Sequence, residues 1–163
     1  MRCYVIAILP ALILGTSAYA AEKVNGQNRD YQTLSEVSSV VPGHPEQTIK
    51  QYSTTFKIIN ASNPMLNGTS LEVGQQEING TNNNIHGYGT TLSSSGSDQT
   101  YWSFSGAFQV NGQDMNGSGT FQWTGGTGKF KNIKGGGQFA CEFGPKAKNG
   151  CDWSGQPEGL ESM

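Results

Sequence analysis

"YWSFSGAFQVNGQDMNGSGTFQWT", residues 101–124, sets large apolar side chains at every second position on either side of a glycine-rich break. Trp102, Phe104, Phe108 and Val110 fall on one face, and Tyr101, Ser103, Ser105, Ala107 and Gln109 on the other. A period of two belongs to a strand, whose successive side chains point to opposite faces. Phe121 and Trp123 repeat the pattern against Thr120, Gln122 and Thr124. The break contains Asn111-Gly112, a pair that accepts the positive backbone angles of a tight hairpin turn. The stretch therefore predicts two antiparallel strands with one apolar face.

The same alternation spreads outward. "YSTTFKII" (52–59) sets Tyr52, Thr54, Phe56 and Ile58 against their neighbours, and "GQFACEF" (137–143) aligns Phe139, Cys141 and Phe143. Turn-forming segments such as "NASNPMLNG", "INGTNNN", "SSSGSD" and "FGPKAKNG" separate these runs. Glycine supplies 23 of 163 residues and charged residues only 13%, about half the usual share, so helical potential is low. About eight short strands at ten-residue intervals describe an antiparallel sandwich or barrel. With few charges to guard exposed edges, closure into a barrel is the better solution. The predicted fold is all-β: an eight-stranded, calycin-like antiparallel barrel over residues 48–158, preceded by an irregular arm over 21–47. That arm contains "VPGHPE" and shows only a helical spacing of Tyr31, Leu34 and Val37 behind an Asp30 cap.

The first twenty residues read as a secretory signal: Met1-Arg2, an apolar "CYVIAILPALILG", and Ala18-Tyr19-Ala20 as the cleavage site after Ala20. The apolar run is short for a membrane anchor, so no membrane span is expected. A secreted or periplasmic chain of about 140 residues would remain. Cys3 leaves with the signal, and Cys141 and Cys151 remain as an even pair, which in an exported chain reads as a disulfide. Four N-x-[ST] sequons stand at Asn60, Asn67, Asn79 and Asn116, glycan acceptors only in a eukaryotic host; the alanine-rich signal looks bacterial.

"TGGTGKFKNIKGGGQF" (124–139) raises the question of a phosphate cradle. A P-loop needs glycine where Trp123 stands and a hydroxyl residue where Phe130 stands. Gly135, Gly137 and Ala140 fit a dinucleotide variant, but neither a following helix nor a parallel unit surrounds them. Corner-turning explains the glycines better. The longer string "GTFQWTGGTGKFKNIKGGGQF" (119–139) resembles the glycine corner of the allene oxide cyclase and dirigent-like barrels. The resemblance implies an eight-stranded barrel with an apolar central cavity, in a superfamily of cyclases, stereochemistry-directing proteins and secreted proteins of unknown role. None of the pocket acids or bases of its active plant members matches a position here.

Chemistry-bearing residues are sparse. His86 is the only histidine in the strand region and the catalytic candidate; His44 lies in "PGHPE". Glu72, Glu77, Asp98, Asp114, Glu142 and Asp152 mostly stand near predicted turns and read as solvated acids. Two separated histidines and no calcium-loop spacing leave no metal ligand set, and no cofactor motif is present. A net charge of −2 and scattered lysines argue against nucleic acid. The aromatic set Trp102, Phe104, Phe121, Trp123 and Trp153 forms the candidate ligand-binding surface if it faces inward, or a packed filling if the barrel is solid.

Three functions follow. A binding barrel for a small apolar or aromatic molecule expects a ligand-sized cavity without a shifted titratable group. A cyclase or isomerase expects a carboxylate or histidine facing the lumen, and a solid structural barrel expects no such cavity. The oligomeric state stays open at this level.

Overall fold

The computed structural model describes residues 22–160, which leaves the signal-like segment and its cleavage site outside the described residues. Eight antiparallel strands run β1 (Val24–Val41), β2 (His44–Ile59), β3 (Gly68–Asn79), β4 (Asn82–Ser93), β5 (Gln99–Asn111), β6 (Asp114–Gly126), β7 (Lys134–Phe143) and β8 (Gly150–Glu158). Each pairs with its neighbours in sequence, and β1 pairs with β8, so the sheet closes on itself. The hairpin read from the opening stretch is β5–β6, with Trp102 opposite Trp123 and Phe104 opposite Phe121.

The expected irregular arm is instead β1, the strand that closes the ring. Val24 to Asn28 pair with β8, from Gly155 to Cys151, and β1 pairs with β2 from Gln27 to Val41. Register shifts between Arg29 and Gln32 and between Thr33 and Ser35, with Asp30 at φ 59°, break the alternation twice. Each shift carries the side-chain pattern to the other face, which erased the period of two and left a false helical spacing. Beyond Asn28 the strand leaves β8 and continues paired with β2 alone, while β2 stays paired with β3; Leu34, Val37 and Val40 on this part of β1 are exposed.

The two ends of the barrel differ. The β1–β2, β3–β4, β5–β6 and β7–β8 connections lie at one end, the first three as two-residue turns; the β2–β3, β4–β5 and β6–β7 connections lie at the other. The connections at that second end carry two short 3₁₀ turns, Pro64–Leu66 and Gly128–Phe130, whose Met65, Leu66 and Phe130 are buried with Ile133. These side chains plug the floor against Val24, Trp123 and Trp153. The glycine-rich stretch thus turns a corner: Gly128, at φ 51°, starts the turn that delivers Phe130.

Near the hairpin end, Cys141 of β7 and Cys151 of β8 sit directly opposite and form the expected disulfide. The chain's only arginine in the described region latches the adjoining seam. Arg29 donates to the carbonyls of Asn28 and Cys151, each at 2.8 Å, and to the Asp152 carboxylate at 2.8 Å, at the point where β1 departs from β8. Lys148 and Arg29 hold the Asp152 carboxyl below its ordinary range. No helix among the described residues is long and apolar enough to cross a membrane.

Candidate functional site

The barrel is hollow. A cavity of about 400 Å³ runs from Leu66 of the floor plug to Lys50 and Glu36 at the hairpin end. Lys50 and Glu36 pair there at 3.1 Å with side chains 25% and 46% exposed, so this is the end that reaches solvent.

All five aromatic residues singled out from the sequence line the cavity: Trp102, Phe104, Phe121, Trp123 and Trp153. Their rings fall into two groups. Phe121, Trp123 and Trp153 meet edge to face, with centroids 4.8 to 6.3 Å apart. Trp102 and Phe104 continue instead into Phe56 and Tyr31, a belt of four rings with successive centroids 4.8, 6.0 and 5.7 Å apart. Such offset and tilted contacts suit the ring quadrupoles.

Glycine makes the belt fit. On β4, Gly89 and Gly87 stand opposite Trp102 and Phe104, and a Cβ at either would collide with the facing ring. The two rings therefore pack directly against bare backbone at Gly89 and Gly87. Trp102 is fixed by its indole N–H, which donates to the Thr91 hydroxyl at 3.1 Å.

His86 takes no part. It pairs with Gln75 and Ser105 on the outer face of the barrel and is exposed, so the catalytic candidate read from the sequence lies outside the cavity. The group that does face the lumen is Glu72, in the middle of β3, level with Thr54 and Gly89. Tyr52 of β2 donates its hydroxyl to Glu72 Oε1 at 2.9 Å. Burial raises the Glu72 pKa to about 7 from an ordinary 4.5, although the Tyr52 hydrogen bond works the other way. Burial likewise raises the pKa of Tyr52 and of Tyr31, and the Glu72 charge adds to both.

Two further polar atoms on cavity-lining residues, Asn28 Oδ1 and Trp153 Nε1, are buried without a hydrogen-bond partner in the protein. Tyr31 Oη lies 3.2 Å from Cys151 Sγ, so the disulfide forms part of the wall beside the belt. Among the described residues, no three histidine, cysteine or acidic side chains gather to hold a metal ion.

Sequence patterning missed Glu72 because β3 is inverted. Leu71 and Val73 are the exposed neighbours, while Ser70 and Glu72 face in. The signal that could have found it is the cross-strand register: Glu72 stands level with Phe56's neighbour Thr54 and with a glycine, both on the lumen face. No protein family, curated protein or solved structure matches the chain.

Proposed function

We propose that the protein is an exported barrel that holds one small, mainly apolar, ring-bearing molecule in its lumen without converting it. The observation that carries this reading is the void itself: about 400 Å³ with eleven aromatic side chains in its wall, Tyr31, Phe56 and the five predicted positions among them. Binding sites for small molecules have this size and this mixture of apolar wall and few polar groups. A solid structural barrel expects no such void, and the cavity counts against that alternative. The disulfide suits an oxidising compartment, which supports export.

One observation favours a second reading, a cyclase or isomerase. A plain binding barrel expects no shifted titratable group in the lumen, and Glu72 is one. A carboxyl poised near neutrality can both give and take a proton, and Tyr52 is in place to steady it. The resemblance of residues 119–139 to the allene oxide cyclase and dirigent-like corner is in keeping with either reading.

Titration of the tryptophan emission with N-phenylnaphthylamine, a neutral apolar fluorophore, tests the binding reading. Saturable one-to-one quenching is expected, and no quenching at any concentration would overturn it. The enzymatic reading expects turnover of a bound substrate that Glu72→Gln abolishes while binding persists.

A further inference from the structure

We infer that the lumen is built for an organic cation, a molecule with a ring-bearing apolar body and one amine or quaternary ammonium group that sits on Glu72 beside the aromatic belt. The inference rests on the binding reading above and names the class of its ligand.

Three observations lead to it. The first is the charge balance of the cavity. Only Glu36, Lys50 and Glu72 among its lining residues carry charge, and Glu36 and Lys50 neutralise each other at the mouth. Glu72 is left uncompensated: among the described residues no lysine, arginine or histidine lies within ion-pair distance of it. A carboxylate enclosed by apolar groups is costly when unpaired, and a cation brought by the ligand removes that cost.

The second is the kind of wall that surrounds the charge. Across Gly89 from Glu72 lies the face of Trp102, which continues into Phe56 and Tyr31; Tyr52 closes the other side through its hydrogen bond. Electron-rich ring faces attract cations, most strongly where water is excluded. A belt of rings around a single carboxylate suits an ammonium group better than a neutral or anionic one.

The third is hydrogen-bond capacity. Tyr52 occupies Glu72 Oε1 alone, and Asn28 contributes an unpartnered acceptor to the same lumen. Both offer sites to an N–H donor.

The groups that face Glu72 also fix the pH response. They are Tyr52, Thr54 and, nearer the mouth, Lys50 from β2; Tyr31 and Glu36 from β1; Gly89 from β4; and Trp102 from β5. Burial pushes Tyr31 and Tyr52 further from neutrality, whereas it brings Glu72 to about 7, inside the range from pH 6 to pH 8. The cation should therefore bind more tightly as Glu72 ionises, with affinity rising from pH 6 to pH 8.

Calorimetric titration of the intact protein with benzyltrimethylammonium and with its uncharged carbon isostere, neopentylbenzene, tests the inference. The cation is expected to bind the natural protein about tenfold or more tightly than the isostere, with affinity rising across that pH range. In Glu72→Gln both the preference and the pH response should vanish while the isostere still binds. Equal or tighter binding of the isostere to the natural protein would overturn the cationic class and leave the binding reading standing. Failure of both probes, together with N-phenylnaphthylamine, would overturn the binding reading and this inference with it.

Discussion

The Tyr52 hydroxyl donates to the Glu72 carboxylate at 2.9 Å across the β2–β3 pair, inside a lumen whose other walls are mostly aromatic. This hydrogen bond opposes burial, which otherwise drives the carboxyl towards its neutral form. In Tyr52→Phe, NMR titration of the Glu72 side-chain carboxyl carbon should therefore show a midpoint above about 7. An unchanged midpoint would mean that the two groups are not coupled in solution.

Glu72 also links stability to pH. Its folded-state pKa of about 7 lies above the ordinary 4.5, so the folded protein keeps a proton that the unfolded chain releases between those values. The resulting stability is fully present below pH 4.5 and is lost as pH rises to about 7, a change on the order of 3 kcal/mol. Glu72→Gln carries no such titration. Denaturant unfolding at pH 8 should find the variant more stable than the natural protein by about that amount, with the gap closing below pH 4.5.

The disulfide bridges directly opposed residues of β7 and β8 beside the seam latched by Arg29. Closing this short loop should contribute roughly 3 kcal/mol through the entropy of the unfolded chain. The double variant Cys141→Ser, Cys151→Ser is expected to lower the unfolding midpoint accordingly, measured against the oxidised protein under two-state conditions.

Gly89 tests the aromatic belt. A Cβ there would overlap the Trp102 ring, so Gly89→Ala must push that ring off its seat and into the cavity. A loss of about 1 to 3 kcal/mol is expected, together with altered tryptophan emission and weaker probe binding. If binding were unaffected, Trp102 would not set the shape of the lumen.

Much of this architecture was legible in the sequence, and the exceptions share a physical origin. Alternation in residues 101–124 gave the β5–β6 hairpin and put Trp102, Phe104, Phe121 and Trp123 on the inner face. The even pair of cysteines left after the signal-like segment pointed to the bridge. Pattern reading relies on an unbroken period of two with apolar residues inward. β1 violates the first condition, because two of its register shifts, between Arg29 and Gln32 and between Thr33 and Ser35, scramble the pattern around Tyr31, Leu34 and Val37. β3 violates the second: its lumen face carries Ser70, Glu72, Gly74 and Gln76, while Leu71 and Val73 point out. Hydrophobic patterning therefore assigns Glu72 to solvent. The same blind spot favoured His86, which the β4 register turns outward.

The central claim is that the lumen is occupied by a small molecule, and native mass spectrometry of the protein purified without refolding from its own cells tests it most directly. The account predicts a species heavier than the denatured chain by the mass of one small molecule that unfolding releases. Identical native and denatured masses, with no adduct after incubation with N-phenylnaphthylamine, would contradict it.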